Sequence, residues 1–311
     1  MFPSARVNGQ SQKLVGLVMA VAVVAAAASG LWRLNRPFPE YDQWFAAQVP
    51  QGAVAIDARG SLSYSRGHIP GAPRLWSRDF LSYSAALPGV LKTPDEISAI
   101  LGAIGLAPGR AVVVYDQGTG ADAPLVAMVL TALGVSAKVL AGGFDAWVAA
   151  GGVPSTGQVT PALAVSPGEW ATDQTLLVSA EAIQGAQSND KILLADARGG
   201  FDFAIGHLEM AVSVSATEMA PDGGLPRWSE AAWVVDSVGV RPETPVMVYG
   251  TDLAQAARTW LSLRAYGIEN VQVFAGPFQV LAAAGLAMEV PVAGAPVRAS
   301  SVCFGAPVVA P

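Results

Sequence analysis

Apolar positions along this chain gather into short unbroken runs, each closed by a polar residue or a glycine. Val112–Tyr115 is such a run, ended by Asp116, and its four apolar or aromatic residues predict a buried strand. Gln117-Gly118-Thr119-Gly120-Ala121-Asp122 then reads as a loop, and the apolar periodicity from Pro124 to Leu133 predicts a helix. In an α/β sheet a ligand sits in the crevice outside the carboxyl end of such a strand. The same order recurs: Val246–Tyr249 ends at Gly250, Thr251-Asp252 follows, and Ala254 to Tyr266 has a helical pattern.

The flanking elements repeat as well. Val54-Ala55-Ile56-Asp57-Ala58-Arg59 predicts a strand ending in a polar pair, and the turn Gly67-His68-Ile69-Pro70-Gly71-Ala72 comes soon after. Thr93-Pro94-Asp95-Glu96 is a capping box with proline at the first helical position, opening a helix to about Ile104. Ala137–Leu140 predicts a further short strand, and Gly142-Gly143-Phe144-Asp145-Ala146-Trp147 closes the unit, with Trp147 expected in the core. Later, Leu193-Leu194-Ala195-Asp196-Ala197-Arg198 and Gly206-His207-Leu208-Glu209 repeat the strand and the turn, the latter without its proline. Asp57 to Asp196 and His68 to His207 are both 139 positions apart, the mark of a duplication. The second copy has drifted further: Ala275-Gly276-Pro277-Phe278 stands where a glycine pair would be, and no tryptophan follows. Trp228 and Trp233 precede it as expected core or interdomain aromatics.

The Asp-x-Arg pair, the Gly-His-Ile-Pro-Gly-Ala turn, the strand–loop–helix and the Gly-Gly-x-x-x-Trp closing motif, in this order, resemble the rhodanese (thiosulfate sulfurtransferase) superfamily in its tandem form. The resemblance covers about residues 40 to 290. It implies an α/β fold of two rhodanese-like three-layer α/β/α domains with mostly parallel sheets, here preceded by a single N-terminal transmembrane helix. The expected segments are an anchor or uncleaved signal at 1–37, a first domain at 38–155, a linker at 156–175, a second domain at 176–290 and an extended tail at 291–311. The linker is rich in Pro, Ser, Thr and Gly. The tail is rich in Pro, Ala and Val without amphipathic period, and reads as an extended strap or a disordered end.

The resemblance also implies a cysteine at the head of the active loop, its thiolate favoured by loop amides aimed at an anion. The matching positions here are Asp116 and Gly250, so neither copy carries that nucleophile. An aspartate cannot hold a persulfide and would repel thiosulfate. The plain reading of Asp116 is that its carboxylate satisfies the loop's own amides; the sharper one is a carboxylate base or ligand. Gln117, Gly118, Thr119 and Gly120 in the first loop, and Thr251 and Asp252 in the second, are the candidate binding positions. A phosphate cradle at Gly118-Thr119-Gly120 is opposed by Asp116 and Asp122 on either side. Asp57, Arg59, His68, Trp147, Asp196, Arg198 and His207 are assigned structural roles. Cys303, in the tail, is the single cysteine; it is either a reactive thiol reaching a pocket or an incidental one, with only Arg298 near it in sequence.

Composition narrows the field. With a single cysteine there is no intramolecular disulfide and no cysteine-based metal or iron–sulfur site; no motif points to another metal or to a cofactor, and none is expected. A net charge of −6 and a pI near 4.9 give no sign of a nucleic-acid-binding surface. Leu14 to Trp32 is an uncharged run of 19 residues, with Arg6 and Lys13 before it and Arg33 and Arg36 after it. Ala26-Ala27-Ala28-Ser29 would suit signal cleavage, whereas the length suits a permanent anchor through residues 14–32, which is the favoured reading. Ala25 to Ala28 would give that helix a small-residue face for close packing on other membrane helices. The expectation is therefore a membrane-anchored, extracytoplasmic rhodanese-like protein without sulfur chemistry, serving as an accessory subunit of a membrane assembly such as a respiratory or photosynthetic complex. The alternatives are an exported sulfurtransferase using a non-standard site and a soluble periplasmic binding module released by cleavage.

Overall fold

The computed structural model describes residues 41–83, 88–118, 120, 122–157, 170, 175–219 and 228–290, all within one compact unit. The run 14–32, Thr119, Cys303 and the tail 291–311 lie outside these residues, as do the side chains of Trp228 and Trp233. Among the described residues no helix is long and apolar enough to cross a membrane.

The first half opens with α1 (Tyr41–Trp44), β1 (Phe45–Ala46), β2 (Val54–Asp57) and α2 (Ser61–Arg66). A hairpin of β3 (Leu81–Tyr83) and β4 (Pro88–Leu91) precedes α3 (Pro94–Ala103), β5 (Val112–Tyr115), α4 (Ala123–Ala132), β6 (Ala137–Leu140) and α5 (Gly143–Ala149). The second half has β7 (Leu177–Val178), α6 (Ala180–Ala186), β8 (Leu193–Asp196), α7 (Gly200–Ile205), β9 (His207–Leu208) and β10 (Ala211–Ser213). It ends with α8 (Ala216–Met219), α9 (Trp228–Ser237), β11 (Val246–Tyr249), α10 (Leu253–Tyr266), β12 (Val271–Phe274), α11 (Phe278–Ala283) and β13 (Met288–Glu289).

Each half carries one parallel sheet, ordered β1-β6-β5-β2 in the first and β10-β8-β11-β12-β7 in the second. The orders are equivalent. Where β10 flanks β8, a single parallel bridge from Arg74 to Asp57 flanks β2. The central strands are buried on both faces, which explains their unbroken apolar runs. Val112 and Val114 point into the same apolar cluster as Val246 and Val248, together with α4 and α10; this cluster runs through both halves. The opposite faces keep separate clusters, around Val113 and Tyr115 in one half and Met247 and Tyr249 in the other.

Sequence boundaries of the helices shift by about one residue, within the ordinary fraying of helix ends. The Thr93 capping box forms as expected: Thr93 Oγ1 accepts from the Glu96 amide, and the Glu96 carboxylate accepts from the Thr93 amide. Trp147 packs against a core cluster, as its motif suggests. It is half-buried at the rim of the outer cluster, stacked on Phe144 and backed by Gly152, where any Cβ would fall 2.4 Å from its ring.

Candidate functional site

The first site is built around the seven-residue loop from Asp116 to Asp122, between the end of β5 and the start of α4. The buried Asp116 carboxylate turns back into this loop. Its Oδ1 accepts from the Gly118 amide at 2.9 Å, and its Oδ2 from the Asp122 and Ala123 amides at 3.1 and 3.2 Å. Loop amides and the N-terminus of α4 converge on a negative charge, which is the arrangement of an anion nest. The anion is the chain's own side chain.

The loop is held by close backbone packing. Gly143, at φ +60°, lies so near that a Cβ would come within 2.6 Å of both Asp116 O and Gly118 N. The Phe144 amide donates to Asp116 O at 2.8 Å. The glycine pair after β6 thus sets the shape of the loop after β5. Gly118 and Gly120 take left-handed backbone conformations.

Beside the loop, Asp57 and Arg59 form a buried pair at 2.6 Å. Arg59 also donates to Gly67 O at 2.7 Å and to Gln117 Oε1 at 2.9 Å, and lies 3.9 Å over the Phe144 ring. Gln117 in turn donates to the Asp145 carboxylate. Burial works against the Arg59 charge, but hydrogen bonding and attraction to Asp57 outweigh it and raise its pKa. The Tyr115 hydroxyl accepts from the Ile69 amide at 3.0 Å; burial and the charge of Asp57 keep it protonated far above the ordinary phenol range. His68 is buried in its turn, its Nδ1 3.1 Å from Tyr64 O and its ring stacked on Tyr64. Asp122 accepts from the Ser77 hydroxyl at the loop's far end. Burial raises the pKa of its carboxyl, partly opposed by the Ser77 hydrogen bond and reinforced by the Asp116 charge.

The second site repeats the scaffold. Arg198 pairs with Asp196 at 2.7 Å, reaches Gly206 O at 2.7 Å, and lies 3.7 Å over Phe278. His207 is 2.9 Å from Phe203 O and stacks on Phe203. The loop itself differs. Only Gly250, Thr251 and Asp252 separate β11 from α10. The Thr251 amide donates to Gln255 Oε1 at 2.8 Å, and Asp252 caps α10 by accepting from the Gln255 amide at 2.8 Å. A Cβ at Gly250 would sit 3.1 Å from Ala256 N and Asp252 O and 3.2 Å from Gln255 Oε1. That is tighter than an ordinary side chain meets, and no cradle opens here.

The structure therefore brings Asp116, Gln117 and Gly118 together with Asp57 and Arg59, and keeps Gly250, Thr251 and Asp252 in a closed turn. Sequence reasoning missed Ser77, Asp145 and Gln255. Of these, Gln255 had a signal: Asp252 followed three residues later by Gln255 is the spacing of a helix-capping box.

These features define a duplicated α/β protein in which a loop after each central strand stands over a buried Asp–Arg pair. The chain belongs to the rhodanese-like domain family, which matches it over residues 41–150 and 179–284. It is 24% identical over 233 residues to a thiosulfate sulfurtransferase of Pseudomonas aeruginosa, spanning 72% of this chain and 85% of that one. It is 24% identical over 234 residues to a 3-mercaptopyruvate sulfurtransferase of Escherichia coli, spanning 71% and 82%. The crystal structure of SseA from Escherichia coli superposes with a TM-score of 0.65, covering 73% of this chain and 93% of that one at 24% identity. That likeness speaks for the fold.

Proposed function

We propose that this protein is a rhodanese-like scaffold without sulfur transfer, held in the membrane by residues 14–32, with its domains on the extracytoplasmic side. It serves there as a binding or structural subunit of a membrane-protein assembly. The observation that carries the reading is the Asp116 carboxylate, which accepts the amides of Gly118, Asp122 and Ala123. A sulfur acceptor must be a thiolate, and a carboxylate in the cradle both replaces it and repels a sulfur-bearing anion. The closed turn at Gly250 supports the same conclusion for the second domain. The apolar run from Leu14 to Trp32 supports the tether.

The purified full chain is expected to transfer no sulfur from thiosulfate to cyanide, and gentle detergent extraction is expected to bring membrane subunits with it. The second reading, an exported sulfurtransferase, is favoured by the activities named for its relatives, thiosulfate and 3-mercaptopyruvate sulfurtransferases. Turnover with either donor that disappears on Cys303→Ala would establish that reading and end the first.

A further inference from the structure

The two halves act as controls for each other, and one face differs between them. In the second half, Phe201 and Ile205 stand one turn apart on α7 and are 80% and 59% exposed. Val290 is 65% exposed and packs against Gly206, where an added Cβ would meet its Cγ2 at 3.7 Å. The antiparallel pairing of β13 with β9, Met288 opposite Leu208 and Glu289 opposite His207, joins this edge to α7. Met210, at the turn after β9, is 52% exposed. Shifted by the duplication offset, the first half keeps an exposed apolar residue, Leu62, at the place of Phe201, but has Arg66 and Gly71 at the places of Ile205 and Met210. Its bridge from His68 to Ser155 matches the His207–Glu289 pairing, which sets Thr156 at the place of Val290.

Met210 is the telling substitution. It has φ +68°, and its counterpart Gly71 has φ +78°. Glycine takes that conformation freely, whereas an L side chain is strained there. The second half keeps an exposed methionine at the strained position, so the site is not shaped by folding alone. An apolar cluster of this kind, rimmed by polar groups, marks a contact surface.

We infer that this face is the seat of the chain's own C-terminal segment, Pro291–Pro311. That segment leaves directly from Val290, which belongs to the face. It carries Val292, Val297, Val302, Phe304, Val308 and Val309, and its single charged side chain is Arg298. The exposed charges on α7, β13 and the intervening turn are Asp202, Glu209 and Glu289, all acidic. Apolar residues and one cation in the segment thus meet an apolar face with an acidic rim. Covalent continuity gives the segment a high effective concentration, and its prolines lower the ordering cost. At about 3.3 Å per extended residue, seven residues span roughly 23 Å, enough to cross α7 and the turn.

Methionine oxidation reads the face directly, because sulfoxide formation follows exposure. The full chain in lipid nanodiscs is compared with a chain ending at Val290 under dilute peroxide, with each methionine followed by mass spectrometry. Met210 and Met288 are expected to oxidise several-fold faster after truncation, and a peptide of residues 291–311 added in trans is expected to slow them again. Buried Met128 and Met247 report folding, and the full-length variant Phe304→Asp replaces the truncation if they become reactive. Equal rates of Met210 and Met288 in both chains would overturn the proposal. So would protection that survives truncation but falls on dilution, which assigns the face to a second copy, or protection that depends on the bilayer.

Discussion

Two kinds of charge are buried in this molecule, and they respond differently to substitution. Arg59 and Arg198 each satisfy a carboxylate that is wholly out of water. Removing one partner of a buried pair leaves the other uncompensated, at a cost of about 3–5 kcal/mol. Arg59→Met and Arg198→Met are therefore each expected to lower stability by that order, read as a fall in urea midpoint at unchanged m-value. Asp122 is the opposite case, since burial raises its carboxyl pKa. A group with a raised folded pKa contributes stability that is fully present below its unfolded pKa, about 4, and is lost as pH rises through the folded value. Asp122→Asn removes that dependence. The variant is expected to gain on the wild type as pH rises from about 4 towards neutrality, and urea titrations at both ends of that range check the sign. An advantage that shrinks with rising pH would show that the Ser77 hydrogen bond, rather than burial, governs Asp122.

At the scale of elements, the two loops after the central strands share a scaffold and differ in what fills them. In the second, α10 is secured by Asp252, whose carboxylate accepts the Gln255 amide. Loss of such a cap costs about 1 kcal/mol, so Asp252→Ala is expected to lower the urea midpoint modestly, while Asp252→Asn largely preserves it. Much of this level was legible in the chain. Val112–Tyr115 and Val246–Tyr249 are strands at the bounds their apolar runs predict, because burial on both faces permits no polar position. The duplication was legible because Asp–Arg pairs and turn histidines have local partners, Tyr64 for His68 and Phe203 for His207. The loop contents were less so. That Asp116 would turn back on its amides was one of two readings, and only the approach of Gly143 to Gly118 shows how the loop is held in that shape. Trp147 packs against the core as its motif suggests, but its half-burial depends on Gly152 and Phe144, and no periodicity reports how much room a neighbouring turn leaves.

The two halves are held together by a core that ignores the duplication. One apolar cluster includes Leu101, Val126 and Met128 from the first half with Trp260, Leu263 and Val273 from the second. Trp44, before the first sheet, meets Trp260 of α10 edge-on with centroids 5.1 Å apart, and Arg264 lies 5.0 Å over the Trp44 ring. Both indole nitrogens are buried without a hydrogen-bond partner among the described residues. An unpaired buried donor costs about 1–3 kcal/mol, so the seam is held by packed area despite its polar atoms. Two substitutions separate these terms. Trp260→Ala removes area and donor together and is expected to cost about 3–5 kcal/mol. Trp260→Phe keeps most of the ring and relieves the orphaned donor, so its loss is expected to stay below about 1.5 kcal/mol. With so much of the core shared, the wild-type halves are expected to unfold in a single transition, with coincident circular dichroism and fluorescence curves. Trp260→Ala is expected to separate those curves, because it weakens contacts across the seam more than those within either sheet. Coincident curves in that variant, shifted together to lower urea, would mean that α4 against α10 alone suffices to couple the halves.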